Sequence, residues 1–288
     1  MPAGNSLNVE QDVRGALIQD AHERFVHCEF KDIPIVRASA VAQGEPTGTA
    51  GDCNTIAVGP SVFQYHSIVG QTILCPTKTT LGLNISQDLV DNDGLEYTLG
   101  NEFPADTLIS NVAGATKGTF TVGTDAPFYF SLKLYITDVS GTDDCLMGFR
   151  KAEAYNATVD DYDEMAAFNI ISGDIKIETI LNNAATVTTD TTDNWTDATA
   201  KTLTVLVDSD GSITNDGTVG KCYFFIDGLR PSAEATTRMK FDSGEIVIPF
   251  FHMLHAADVA EATTFQIWES GFYPMGQSSQ LQFPTTLG

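Results

Sequence analysis

Residues 128–139, FYFSLKLYITDV, alternate so regularly that they dictate one backbone conformation. Phe128, Phe130, Leu132, Leu134 and Ile136 recur at every second position, which places all five on one face of an extended strand. The same logic runs along most of the chain. SIVGQTILCP, LGLNIS, LEYTL, GTFTVG, CLMGFRK, AAFNII, DIKIETIL, TLTVLV, KCYFFID, GEIVIPFFHML and TTFQIWESGFYP each predict a strand. CLMGFRK is expected to neighbour the alternating strand. Turn chemistry separates these segments: DNDG at 91–94, DSDG at 208–211 and the Asp227-Gly228 pair. Short strands punctuated by Gly/Asp turns predict an all-β, two-sheet antiparallel sandwich.

The N-terminal region follows a different period. Val9, Val13, Leu17, Ala21 and Phe25 recur every four residues, so 8–27 predicts a short amphipathic helix. Asn8 with Gln11 three residues on would cap its start. Such a stripe must be covered, and Val9, Val13, Leu17 and Phe25 are the residues expected to bind a partner surface. Residues 38–61, rich in Gly, Ala, Ser and Thr, predict a linker. The expected organisation is an arm and linker over 1–61, a sandwich domain over 62–275 and an extended tail over 276–288. A brief helix is also conceivable in HMLHAADVAEA.

The charge balance narrows the function. The 288-residue chain carries 15 basic against 38 acidic residues, a net charge of −23. A surface this acidic is repelled by phosphate backbones and anionic lipid, so neither nucleic acid nor membrane is an expected partner. No apolar run approaches the roughly 20 residues of a membrane span, and the first residues lack the basic and apolar regions of a secretory leader. Five cysteines without a CxxC pair predict buried free thiols in a reducing compartment. The sequons at Asn84, Asn156 and Asn194 are read as chance matches in a Thr-rich chain.

Catalytic and metal motifs are weak. DDYDEMAAF places Asp160, Asp161 and Asp163 close together before an apolar run. Crowded carboxylates must be solvated or bind a cation, and oxygen-only ligands suit calcium. Two readings stay open: a solvated loop, or a calcium site at Asp160, Asp161 and Asp163. DIKIE sets Asp174, Lys176 and Glu178 on one strand face, with Ile175 and Ile177 toward the core. A lysine between carboxylates lowers their pKa values, which opposes an acid catalyst. DSDGSITNDG lacks the glycine and glutamate spacing of an EF-hand, so a hairpin turn is expected. His252 and His255 would pair across one helical turn but find no third ligand in register. GxSxG and a Gly-rich phosphate loop are absent. No cofactor and no enzymatic activity are expected.

GLNISQDLVDNDGLEY, GFRKAEAYN, TLTVLVDSDGSI, KCYFFIDGLRP and EIVIPFFHMLHAADVAEATTFQIWESGF carry a resemblance. Residues from about 80 to 275 resemble the concanavalin A-like jelly roll, the lectin/glucanase or laminin-G-like fold. DVSGTDDCLMGFRKAEAYN, DDYDEMAAFNIISGDI and ILNNAATVTTDTTDNW look like virion structural proteins of tailed phages. That resemblance implies a virion component. The expected role is a capsid decoration (cement) protein on the virion surface, made in the host cytoplasm, bound to the major capsid protein and forming a homotrimer. The alternative is a glycan-binding module of a tail fibre or capsid surface, with Tyr155, Tyr162 and Trp195 stacking on sugar rings. Laminin-G-like domains often hold calcium at a sheet edge, which is the resemblance's support for the acidic site.

Overall fold

The structure is a computed structural model. It describes residues 25–31, 35–37, 53–58, 61–67, 77–85, 94–98, 118–153, 156, 158–214, 216–255 and 263–273. In chain order the strands are β1 (Val26–Glu29), β2 (Ile35–Arg37), β3 (Cys53–Val58), β4 (Ser61–Ser67), β5 (Thr77–Lys78), β6 (Leu83–Asn84), β7 (Gly94–Thr98), β8 (Phe120–Thr121), β9 (Phe128–Ile136), β10 (Thr142–Lys151), β11 (Met165–Ile171), β12 (Asp174–Ile180), β13 (Val187–Asn194), β14 (Thr199–Asp208), β15 (Lys221–Ile226), β16 (Ile246–His255) and β17 (Thr263–Phe272). One 3₁₀ turn, Val159–Asp161, lies between β10 and β11. No helix among the described residues is long and apolar enough to cross a membrane.

The strands form two antiparallel sheets. One runs β15-β14-β9-β17-β6-β5, with β1 also paired to β17. The other runs β13-β12-β11-β10-β16-β7-β4-β3-β2, with β8 also on β16. The all-β, two-sheet antiparallel sandwich is the predicted architecture. Phe128, Phe130, Leu132, Leu134 and Ile136 all face the interior of β9 at 0% exposure. From β17 they meet Trp268, whose ring centroid is 4.3 Å from that of Phe130. The opposite sheet contributes Phe149, 5.1 Å from Phe128, and Phe168, 5.2 Å edge-on to Phe224 of β15. Each such ring withdraws enough apolar area to stabilise the fold by about 1.5–3 kcal/mol, the term that holds the sheets face to face.

Backbone proximity fixes one glycine. A Cβ on Gly148 would sit 2.2 Å from Ala166 O and 2.6 Å from Ala167 Cα, so β10 and β11 approach only because residue 148 has no side chain. The hairpin between β11 and β12 turns on Ser172 and Gly173, both at positive φ.

Several expectations change. CLMGFRK, now β10, is not beside β9: it crosses to the other sheet and pairs with β11 and β16. Both faces of a sandwich offer identical apolar alternation, so periodicity cannot choose the sheet. The helix predicted for 8–27 does not reach its last residues, because Val26–Glu29 is β1. The rest of that stretch, with Val9, Val13 and Leu17, lies outside the described residues. The predicted arm and linker also contain β2 and β3, which extend the larger sheet. β2 is only three residues long, and β3 sits in a Gly/Ala/Thr-rich stretch, so neither stands out from a loop. β13, VTTDTTDN, was not expected either, being polar and exposed along most of its length. It is an edge strand, where charged side chains keep a sheet from recruiting further strands.

Candidate functional site

The larger sheet carries most of the residues singled out from sequence, and it buries them. Val159 and Tyr162, around the 3₁₀ turn, pack on its outer face. Tyr162 is 0% exposed there, packed with Leu146, Met165 and Phe250. Its hydroxyl donates to Glu96 Oε2 at 2.8 Å, and Arg150 donates to Glu96 Oε1 at 2.8 Å. The Arg150 guanidinium lies 4.3 Å above the Tyr162 ring. A ring used in this way has no free face for a sugar. Trp195 is 3% exposed and belongs to the main core, its indole N–H donating to Thr199 O at 3.3 Å. Tyr155 lies outside the described residues. The stacking surface expected from Tyr162 and Trp195 is therefore corrected: loop-like sequence concealed inward-facing rings.

The acidic stretch is dispersed rather than convergent. Asp160 and Asp161 point outward from the 3₁₀ turn, and Asp160 accepts a hydrogen bond from Thr186. Asp163 pairs with Lys151 Nζ at 2.6 Å, and the same ammonium reaches Glu245 at 3.2 Å. Among the described residues no group of three or more His, Cys, Asp or Glu is placed to hold a metal ion. The cation at Asp163 is a lysine. Next to it, Glu164 is 0% exposed; desolvation raises its pKa from 4.5 to about 7.

The other motifs resolve simply. Asp208 closes the loop after β14 by accepting N–H bonds from Ile213 and Thr214, both 3.1 Å, so DSDG opens a long connection rather than a tight turn. His252 lies on β16, not on a helix, buried beside Glu96 at 3.6 Å. Ile175 and Ile177 face the core as expected, with Lys176 opposite Asp190 on the outer face. Cys222 is a buried free thiol, and Cys28 and Cys145 are buried as well.

A further polar and aromatic constellation lies on the outer face of the smaller sheet. Strand register there aligns Phe225, Thr204, Ser131, Glu269 and His27 into one row across β15, β14, β9, β17 and β1. A row on one side holds Thr202, Lys133, Ile267 and Glu29; one on the other side holds Tyr223, Leu206, Tyr129 and Gly271. Phe25 lies across Gly271, where a Cβ would come within 3.0 Å of its ring. Phe25 thus packs on its own chain, with its ring 6.3 Å from the His27 ring and nearly parallel to it.

Glu269 is the anchor. It is 0% exposed, and both oxygens are engaged: Tyr129 donates to Oε1 at 2.7 Å, and His27 Nδ1 meets Oε2 at 2.6 Å. His27 Nε2 meets Glu29 Oε1 at 3.2 Å. His27 thus bridges the carboxyl groups of Glu269 and Glu29. Burial first, then Glu269, holds Tyr129 far above the usual phenol range, so it stays a donor. Ser131 and Thr204 hydroxyls bond each other at 2.6 Å. Around this satisfied floor His27, Glu29, Lys133 and Tyr135 remain partly exposed. The arrangement offers fixed donors and acceptors beside aromatic rings, on rigid strands.

Sequence reading missed this face, although the signal was present. FVHCEF alternates Val26, Cys28 and Phe30 inward against His27 and Glu29 outward, a strand pattern overridden by the four-residue period of Phe25 with Leu17. Lys133 and Tyr135 are the outward half of the strand whose inward half was recognised.

No protein-family model and no curated protein matches the sequence. Among solved structures the chain is similar to the carbohydrate recognition domain of Emp47p, with a TM-score of 0.48 and 12% identity over 75% of this chain and 90% of that one. It is similar to the calcium-bound exoplasmic/lumenal domain of VIP36, with a TM-score of 0.45 and 6% identity over 90% of this chain and 94% of that one. It also aligns with a botulinum neurotoxin type C structure, at TM-score 0.38 and 9% identity over 88% of this chain and 49% of that chain. No residue role is taken from these likenesses. These comparisons do not bear on the phage resemblance.

Proposed function

We propose that this chain is a non-catalytic carbohydrate-binding module that takes a neutral, hydroxyl-rich sugar on the outer face of the smaller sheet, where β1, β17 and β9 meet. The observation that carries the reading is the Glu29–His27–Glu269–Tyr129 chain of hydrogen bonds beside Phe25, Lys133 and Tyr135. Vicinal hydroxyls are met by a carboxylate and an ammonium that can each engage two oxygens, and a sugar's C–H face is met by an aromatic ring. A net charge of −23 favours neutral over acidic saccharides on this face. Hydrolysis is not supported by the same geometry. Glu269 is buried with both oxygens occupied, so it cannot attack an anomeric carbon, and Glu29 then lacks the second carboxylate a glycosidase requires.

The capsid-decoration reading stands as the earlier expectation, resting on a resemblance and on arm residues outside those described. The test is titration calorimetry against a panel of neutral mono- and oligosaccharides. Lys133→Ala and Tyr135→Ala should each weaken binding by about tenfold, equivalent to ~1.4 kcal/mol, because each removes one contact without disturbing the core. Tyr162→Phe should leave affinity unchanged. Equal binding by parent, Lys133→Ala and Tyr135→Ala would place the sugar elsewhere.

A further inference from the structure

Residues 227–241 close the open edge of the sandwich between β13 and β15. Ala233 donates its N–H to Thr191 O at 2.9 Å, and Cys222 donates to Met239 O at 2.9 Å, so the segment is tied to one sheet at each end. Under it lies a cleft of about 50 Å³, with Thr179, Thr189, Thr237, Glu234, Arg238 and Phe224 in its walls.

The charges at this cleft do not balance. Glu234 Oε2 serves two guanidinium groups, Arg230 in close contact and Arg238 at 3.4 Å. Both lie over the Tyr223 ring, at 5.4 Å and 4.8 Å. One carboxylate for two cations leaves a surplus positive charge in a half-buried place, on a chain that is otherwise strongly acidic. Desolvation already pushes Arg230 below the ordinary arginine range. Two residues of the cleft wall carry buried polar atoms with no hydrogen-bond partner among the described residues, Glu234 Oε1 and Arg238 Nε; Tyr223 Oη and Arg230 Nη1, outside the cleft lining, are likewise unpartnered. Unpaired buried polar atoms are rare in folded proteins, and two on one cleft wall point to a bound polar group.

We infer that this cleft binds the carboxylate head of a small hydroxy acid. Arg238 takes the carboxylate: it holds Glu234 only at long range and is 34% exposed, against 22% for Arg230. Glu234 Oε1, an acceptor on a cleft-wall residue, accepts a hydrogen bond from the ligand's hydroxyl. A carboxylate alone would leave that acceptor unmatched and would face the Glu234 charge without compensation. The space is about a third of the ~150 Å³ that holds a benzene ring, so it seats the carboxylate end of a small acid, with the rest at the cleft mouth, and not a pyranose. Apart from Tyr223, which stands in a row of that outer face, the residues are distinct from those of the sugar face, and the two assignments stand or fall separately.

The experiment titrates the full chain with glycolate, acetate and sulfate while following the methyl NMR signals of Thr179, Thr189 and Thr237. Glycolate should bind saturably and shift these methyls. Acetate should bind about fivefold more weakly, the value of one hydrogen bond, and sulfate should not shift them. Arg238→Gln should abolish the response with an unchanged urea midpoint. If that variant is destabilised, Arg238→Lys, which keeps the charge, should retain weakened binding. Absence of saturable shifts, equal responses to glycolate, acetate and sulfate, or glycolate binding by a folded Arg238→Gln chain would overturn the assignment.

Discussion

Replacing Glu164 by glutamine tests whether a buried carboxyl governs the stability of this sandwich. Glu164 sits just before β11, pointing between the sheets. One oxygen accepts the Asp242 N–H at 3.2 Å, and the other has no partner among the described residues. Burial is the largest cause that lifts its pKa from 4.5 to about 7, reinforced by Glu245 and Asp242 and opposed by the Asp242 N–H and Lys151. The sign follows from linkage. The native state holds the proton more tightly than the unfolded chain, so stability is full below about pH 4.5 and falls as pH rises toward 7. Each tenfold difference in proton affinity is worth ~1.4 kcal/mol, so ionised Glu164 costs the fold about 3 kcal/mol at alkaline pH. Glutamine keeps the acceptor for Asp242 and cannot ionise. Glu164→Gln should match the parent near about pH 3.5 and exceed it by about 3 kcal/mol near about pH 9, or roughly 6–12 °C in Tm. Urea unfolding followed by the fluorescence of Trp195 and Trp268, both in the core, reads the difference directly. Parallel pH profiles for the two proteins would show that Glu164 is not the titrating group.

Three further outcomes follow from the packing. Arg150→Met strands Glu96 in the outer layer of the larger sheet and should cost about 3–5 kcal/mol by urea unfolding, whereas Arg150→Met with Glu96→Leu should cost clearly less. Gly148→Ala should fail to give soluble folded protein, judged by yield and far-UV circular dichroism, because its Cβ would overlap Ala166 O at 2.2 Å. Chelation of divalent ions should leave Tm unchanged, since Lys151 supplies the cation at Asp163; a Tm that falls with chelator and recovers with calcium would reinstate the acidic loop as a metal site.

The parts of the fold that could be read from sequence are those where one face is dry. β9, β12, β14, β16 and β17 alternate apolar with polar residues, or run apolar throughout, and each was legible. β13 was not, because an edge strand built of Thr and Asp has no dry face to betray it. β10 was legible as a strand but assigned the wrong neighbour, since sheet membership depends on connections that side-chain period does not encode. The candidate site was harder. Glu269 looks in sequence like one polar residue after a tryptophan, and its meaning comes from Tyr129, 140 positions away, and His27, 242 positions away. Tyr162 and Trp195 misled for the converse reason: aromatic residues in polar loops suggest exposure, yet each loop folds back and spends its ring on the sheet.

The location of a bound sugar tests the central claim most directly. Hydrogen exchange, compared with and without a saturating neutral oligosaccharide, reports it by segment. The account predicts slowed exchange in β1 around His27 and Glu29, in β9 around Lys133 and Tyr135, and in the facing stretch of β17, with the larger sheet unchanged. Protection confined to segment 152–164 or to β10 and β11, with none on β1 and β9, would contradict it.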